Sequence, residues 1–508
     1  MSVWRDQTET RFNTIAAQFP DFLTPAQKLR AERIRQARML FANQHRQYFL
    51  QEGRTQHKFP VIETDGMTIQ PYFTVNVLRL VSLKTADLLF GTDPILRVED
   101  DVQQAKLSAL AERTGLHPLI LKAAISCTHA AEAFLEARVE RGQVYIGRIS
   151  AGEIFPMGEM LAANAFGSYV RYSLRTIPQG EAVRRFLLET TYRAGAILRA
   201  AFELDAKGQK VGPVALNATL AGKLIFADAL GAAWKPEQPT GIAANTIVYI
   251  PNFQDDEDLC PVSSYDGVID LQDNLNALET QINRILEQHA DPIMYADAQS
   301  ANGQGNLRSR QKVYFKRPGQ DPPGYIVRDL QLESAMSKQD RTLNRLCILA
   351  EMSPSLLGLT QGAAAESWKK FKLSATNALA MAQRKAAVWR PKLRELLALA
   401  QDLENTLPGE RYDRGAVAVE MRDGIPEDDL DVANYIATLR GAQAMSDERA
   451  VALQIPDTAG QQRELAALGE QRAAATPSVL LGEPAAPETT NEPADGEGGS
   501  SAAQAATS

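Results

Sequence analysis

Residues 266–290 read DGVIDLQDNLNALETQINRILEQHA, and the apolar spacing inside them decides how the chain is organised. Leu271, Leu275, Leu278, Ile282 and Ile285 recur at intervals of four, three, four and three. This is a heptad seam held for two heptads, which packs lengthwise on neighbouring helices. Ser263, Ser264 and Asp266 supply capping chemistry in front of it, and Asp291-Pro292 stops it. At roughly 1.5 Å per residue the helix is about 37 Å long.

Downstream, residues 291–331 change character. Gly303, Gly305, Pro318, Gly319, Pro322, Pro323 and Gly324 punctuate short β-like runs at Val313–Phe315 and Tyr325–Val327. The same insert is basic, with Arg308, Arg310, Lys312, Lys316 and Arg317. A helix resumes over 332–352 through Leu343, Leu346 and Leu349, so the insert sits at the tip of a helical hairpin. Next comes SPSLLGLTQGAAA, Ser353 to Ala365, without a charged residue and composed like a mobile loop. Residues 366–405 are helical in composition throughout, with Trp368, Phe371, Leu379, Ala382, Ala386, Trp389, Leu393, Leu396 and Leu397 at the apolar positions. Such a helix would be about 60 Å long, and Pro391 within it should kink it. A strand at Ala416–Met421, a helical region from Glu427 to Ala475 interrupted near Pro456, and a tail without basic residues after Arg472 complete the chain. Rich in Pro, Glu, Gly, Ser, Thr and Ala, that tail is expected to be disordered.

Upstream, Thr24-Pro25 reads as N-cap and N1 of a helix running to Phe49. From 1 to 60 there are ten Lys or Arg against five Asp or Glu, with Lys28, Arg30, Arg33, Arg35 and Arg38 close together. A solvated face accounts for that cluster, as would contact with an acidic neighbouring subunit or with nucleic acid. Phe73 to Asp101 contains an amphipathic helix closed by Gly91 with Pro94 beyond, then a strand at Ile95–Val98. A second helix is expected over Pro118–Glu140. Strands follow at Gln143–Ile149, Tyr169–Arg175, Arg185–Tyr192, Ile197–Glu203 and Thr246–Ile250. Two helices followed by mostly antiparallel strands make an α+β region.

The 508 residues, 44% of them hydrophobic, allow two to four domains. A formal net charge of −8 argues against a chain that grips nucleic acid by neutralising phosphates, though not against one that DNA slides past. Cys127, Cys260 and Cys347 are too few and too scattered for a disulfide framework, which suits a reducing compartment. No signal-peptide core and no run of about 18 apolar residues is present, so a soluble chain is expected.

Catalytic signatures are at chance level. Gly222-Lys223 lacks the upstream glycine and the following hydroxyl residue of a phosphate loop, and Ser367-Trp368-Lys369-Lys370 has no partner motif. His45, His57, His117, His129 and His289 form no metal-ligand cluster, and Cys127 and His129, two apart on a helix, do not point together. The acidic run Asp255–Asp258 lacks the spacing of a calcium loop. No catalytic residue, cofactor or metal is expected, and the chain is read as a non-enzyme.

The order of elements carries a resemblance that single motifs do not. NVLRLVSLKTADLLFGTDP (76–94), IVYIPNF followed by SSYDGVIDLQDNLNALETQINRILEQHADPIMY (247–295), and ILAEMSPSLLGLTQGAAAESWKKFKLSATNALAMAQRKAAVW (348–389) together resemble bacteriophage portal proteins, the head-to-tail connectors of tailed phages, over roughly residues 30–450. The resemblance implies a portal-type α+β subunit in a ring, usually of twelve, around a DNA channel. On it, 1–265 would be the wing, 266–290 and 332–352 the stem helices, and 291–331 the clip. Residues 353–365 would be the channel loop, 366–425 the long wing helix with its following strand, 426–475 the helical crown and 476–508 a disordered acidic tail. The loop residues Ser353, Ser355, Leu356, Leu357, Leu359, Thr360 and Gln361 would line the channel. The seam residues would pack the stem against neighbours in the ring, and the five insert cations would form a basic clip surface.

The implied partners are further copies of the chain, the large terminase subunit, a head-tail adaptor, the major capsid and scaffold proteins, and double-stranded DNA passing without sequence specificity. The implied place is one vertex of the virion capsid, after assembly in the host cytoplasm. An uncharged loop and an acidic balance suit passage, since each neutralised phosphate adds salt-dependent affinity and hence friction. A helical scaffold or adaptor without a channel is the alternative.

Overall fold

The computed structural model describes residues 23–51, 62–64, 67–69, 72–161, 165–179, 182–205, 208–220, 223–227, 231–253, 261–290, 294–295, 324–325, 332–358, 373–409, 411, 414–422, 429–442, 444–454 and 458–475. Two compact units divide the chain, Met1–Pro426 and Glu427–Ser508.

In chain order the first unit contains α1 (Pro25–Phe41), α2 (His45–Gln51), β1 (Ile62–Thr64), β2 (Met67–Ile69), α3 (Val77–Phe90), β3 (Ile95–Arg97), α4 (Asp101–Thr114) and α5 (Leu116–Ala130). Strands follow: β4 (Glu132–Glu140), β5 (Gln143–Ile149), β6 (Ile154–Leu161), β7 (Ala165–Gln179), β8 (Ala182–Arg193), β9 (Ala196–Leu204) and β10 (Lys210–Val214). Four more are β11 (Thr219–Leu220), β12 (Lys223–Leu224), β13 (Glu237–Pro239) and β14 (Ile247–Pro251). The unit closes with α6 (Ile269–Ala290), β15 (Met294–Tyr295), β16 (Gly324–Tyr325), α7 (Leu332–Leu349), α8 (Thr376–Thr406) and β17 (Ala418–Glu420). The second unit holds α9 (Asp429–Gly441), α10 (Asp447–Gln454) and α11 (Thr458–Ala475), with Ile436, Ala450 and Val451 buried.

The architecture mixes helix and sheet, and its middle layer is a three-stranded antiparallel sheet in the order β14-β4-β5. One face, with Ala133, Leu135, Ala137, Val144, Ile146, Val248 and Ile250, packs on α3, α4, α5 and α8 in the largest core. Phe134, Ile149, Ile247 and Tyr249 on the other face meet Ile154, Tyr169, Tyr192 and Ile197 of a six-stranded sheet. That sheet runs β10-β9-β8-β7-β6, with β13 also on β9.

The double burial of β4 corrects the expectation of a helix over 118–140. The helix ends at Ala130, Ala131 takes a left-handed φ of 70°, and EAFLEARVE continues as strand. Its Glu, Ala, Leu and Arg residues favour helix locally, but a slot between two layers decides otherwise. A strand covered on both faces also shows no alternation that would announce it.

Other boundaries move for local reasons. Thr24 and Gln27 form a reciprocal capping box at the start of α1, but the helix does not reach Phe49. Asn43, at φ 66°, breaks the run into α1 and α2. Helix α4 lies where no helix was expected: Asp100 caps it by accepting from the Gln103 N–H at 2.7 Å, and Gly115, at φ 57°, ends it and starts α5. Helix α3 begins at Val77, because Asn76 caps it, its Oδ1 accepting from the Arg79 N–H at 2.9 Å.

Helix α8 passes through Pro391 and joins two cores. Ala378, Met381 and Ala382 belong to the core built on α3, α6 and α7, whereas Ala386, Trp389, Leu393, Leu396, Leu397, Ala400 and Leu403 belong to the core under β4. At 31 residues it is about 47 Å long.

Candidate functional site in the helical hairpin and long helix

Helices α6 and α7 pack as an antiparallel pair. Gln339 of α7 donates to Glu279 of α6, and Leu346 and Cys347 share a core with Leu275, Val268 and Tyr265. Of the seam residues, Leu275, Leu278 and Ile282 are buried while Leu271 and Ile285 are half-buried. The chain therefore covers its own seam, and the inference that neighbours in a ring must cover it is corrected. The lengthwise partners of a heptad seam are here α7 and the core around α3.

A second stripe of α6 carries a polar ladder that the apolar periodicity conceals. Gln272, Asn276 and Thr280 are buried at positions i, i+4 and i+8. Four helical residues rise about 6 Å and two extended residues about 6.6 Å, so a strand laid along that stripe meets one side chain at every second residue. The segment Tyr72–Val77 uses this match. Phe73 N–H donates to Thr280 Oγ1 at 3.0 Å, Val75 N–H to Asn276 Oδ1 at 3.1 Å and Val77 N–H to Gln272 Oε1 at 3.2 Å. Gln272 Nε2 returns a bond to Val75 O at 2.7 Å. Asn276 Nδ2 also donates to His45 Nδ1 at 3.0 Å, and His45 Nε2–H donates to Leu40 O at 3.0 Å. Both ring nitrogens are thus used in the neutral form, and burial holds the His45 pKa below its ordinary value. Three uncharged hydrogen-bonding residues at i, i+4 and i+8 within a heptad helix were the available signal.

The turn after α7 is packed at its start. Ser353 and Leu357 are buried and Ser355 and Leu356 half-buried; Leu357 joins the α3–α6–α7 core and Ser353 O accepts from Leu356 N–H at 3.0 Å. The reading of Ser353–Ala365 as one mobile loop is corrected for these first residues. Leu359, Thr360 and Gln361 lie outside the described residues, as do Arg308, Arg310, Lys312, Lys316 and Arg317 of the insert and the tail 476–508.

On α8, Lys385 points inward, donating to Asn252 Oδ1 and, at 3.2 Å, to Ser264 Oγ. Those acceptors lie between β14 and α6, so one ammonium ties the long helix to the entry of the hairpin. Burial pushes its pKa down to about 8. Three cations of α1 are likewise turned to their own chain. Arg30 pairs with buried Glu132, donates to Ile154 O at 2.9 Å and Ala151 O at 3.1 Å, and stacks over Phe134 and Phe155. Arg33 reaches Asp266 at 3.3 Å, and Arg35 binds Glu32 within the helix.

Residues 245–478, from the start of β14 past α11, match the family model described as phage portal protein, SPP1 Gp6-like. The resemblance to phage portal proteins holds. The portal-matching segment contains the hairpin α6–α7, the packed turn, α8 and the whole helical run of the second unit. Solved structures with a similar chain include the neck of a native gene transfer agent particle computed with C12 symmetry, at TM-score 0.43 and 12% identity. The virion of a native gene transfer agent particle gives TM-score 0.36 and 13% identity. The neck of an empty particle computed with C6 symmetry gives 0.34 and 14%. Each likeness covers 74% of this chain and 87% of the other. Comparison with curated protein sequences gives no match. No described helix is long and apolar enough to cross a membrane.

Proposed function

We propose that the chain is the subunit of a portal ring at one vertex of a tailed-phage-like particle, forming the channel through which double-stranded DNA is packaged and ejected. The observation that carries this reading is the family match, which takes in the hairpin, the packed turn, α8 and the helices α9–α11 in one continuous stretch. In this reading α6 and α7 are the stem and 291–331 the clip that meets the terminase and then a head-tail adaptor. The sheets belong to the wing and α9–α11 to the crown. The chain supplies shape and charge balance, and a separate motor supplies the work. Purified protein should therefore show neither ATPase nor nuclease activity.

Native mass spectrometry with negative-stain imaging tests the reading. Discrete closed rings with a central hole, twelve subunits being expected, support it. A strict monomer or dimer under all conditions, with scaffold protein added, would leave the helical adaptor without a channel as the better account. Lys placed at Leu359, Thr360 and Gln361 should slow packaging while rings still form; unchanged packaging removes the case for that loop lining the channel.

A further inference from the structure

Strand β3 is paired with another strand on one side alone. Ile95, Leu96 and Arg97 are in register with Glu420, Val419 and Ala418 of β17, and α4 lies along the opposite edge. There the side chain of Gln104 stands in for a strand. Its Nε2 donates to Leu96 O at 3.1 Å and its Oε1 accepts from Val98 N–H at 2.9 Å. A residue of a parallel strand makes the same pair of bonds, giving its N–H to one residue and taking an N–H from the residue two further on.

Beyond Gln104 the edge is open. Backbone groups of alternate residues leave a strand on the same side, so Leu96 N–H and Pro94 O face the way that Leu96 O does, and neither has a hydrogen-bond partner among the described residues. Beside them β3, α4 and the start of α5 enclose a cleft of about 470 Å³. Leu96, Ala111 and Leu116 give it an apolar lining. His117 is engaged at both ring nitrogens: Nε2–H donates to Phe90 O at 2.7 Å, and Nδ1 lies 2.5 Å from Asp93 Oδ1. Among the described residues no lysine or arginine lines the cleft, and Glu112 is exposed with no partner. With Asp93 matched by His117, Glu112 is the unmatched charge.

We propose that this cleft binds an extended segment of a partner protein laid parallel to β3, one of its residues bonded to Pro94 O and Leu96 N–H in the place next to Gln104, and a lysine or arginine of the segment beside Glu112. Main-chain bonds to an open sheet edge hold such a segment and the flanking side chains select it. A small molecule could fill the same volume, but the groups on offer are a C=O and an N–H spaced for a peptide unit and in register with the carboxamide already there. The segment is basic because the unmatched charge is a carboxylate. The cleft lies within one chain and its test needs no ring, so failure of the proposal leaves the portal reading standing.

The experiment is residue-resolved hydrogen exchange of the full-length chain over a concentration series of two capped peptides, acetyl-Ser-Val-Lys-Val-Ser-amide and the same peptide with Glu in place of Lys. The Lys peptide should slow exchange of the Leu96 amide, half-saturating at millimolar concentration or below, and the Glu peptide should need about threefold more. N-methylation of the peptide, scanned over its three central residues, should weaken binding about tenfold at the residue that donates to Pro94 O. Glu112→Lys should reverse the preference between the two peptides. That position is exposed in the last turn of α4, where a cation favours the helix, so the variant keeps the fold. An unchanged Leu96 amide at millimolar Lys peptide overturns the proposal. So does a Leu96 amide as protected as that of Val98 before any peptide is added, which would show the cleft filled by the chain itself. Equal slowing by both peptides, in wild type and in Glu112→Lys, overturns the assignment of a basic segment, and indifference to every N-methyl group overturns the strand pairing.

Discussion

Replacing Lys385 with Met tests whether the clasp between α8 and the entry of the hairpin costs stability at neutral pH. The ammonium is buried and held by two neutral oxygens, and its pKa is lowered from 10.5 to about 8. At about 1.4 kcal/mol per unit, carrying the charge inside the fold at pH 7 costs about 3 kcal/mol. The unfolded chain binds more protons between about pH 8 and 10.5, so wild-type stability rises through that window, and by pH 10 the cost has fallen below about 1 kcal/mol. Methionine removes the charge but leaves Asn252 Oδ1 short of a donor, while Ser264 Oγ keeps the bond from Asn252 Nδ2, a loss of about 1–2 kcal/mol. Lys385→Met should therefore be about 1–2 kcal/mol more stable than wild type at pH 7 and no more stable at pH 10. Urea unfolding followed by tryptophan fluorescence at both pH values measures the difference. A variant equally destabilised at pH 7 and pH 10 would refute the reasoning, since it would make Lys385 a plain hydrogen-bond donor without an ionisation penalty.

Asn276→Leu should cost about 2–4 kcal/mol by orphaning the Val75 N–H and the His45 acceptor, and amide exchange at Val75 should rise with it; unchanged exchange would mean the ladder does not hold the strand. His129 is buried against Phe41 and its pKa is lowered to about 4. Its folded value lies below the ordinary 6.5, so stability is full above about pH 6.5 and is lost as pH falls toward 4, by up to about 3 kcal/mol. His129→Phe should flatten that part of the pH–stability curve measured by denaturant titration, and an unaltered curve would count against it. Leu278→Asp, which places a carboxylate at a site 3% exposed, should unfold the subunit by about 3–5 kcal/mol. Folded monomers that merely fail to assemble would show that Leu278 faces a neighbour after all.

The helices α6, α7 and α8 were legible in the sequence because their apolar spacing is long and regular, and strands β7, β8 and β9 of the six-stranded sheet were legible from their alternation. Strand β4 was not, since a strand buried on both faces and written in Glu, Ala, Leu and Arg resembles a helix to any local reading. The apolar character of the seam was legible but its partner was not: periodicity says that Leu275 is covered, not that α7 and α3 of the same chain cover it. The basic run at Lys28–Arg38 was visible as charge, whereas the destination of Arg30 depends on Glu132, which is distant in sequence. The polar ladder was hidden for a related reason. Gln272, Asn276 and Thr280 look like a solvated face until an extended segment about two hundred residues upstream is laid against them.

The ring is the central claim, and a native mass spectrum of the purified full-length chain tests it most directly. The account predicts one dominant species at an integer multiple of the 55.6 kDa subunit, with twelve copies expected. A spectrum holding only the single chain, at every concentration and with scaffold protein present, would contradict it.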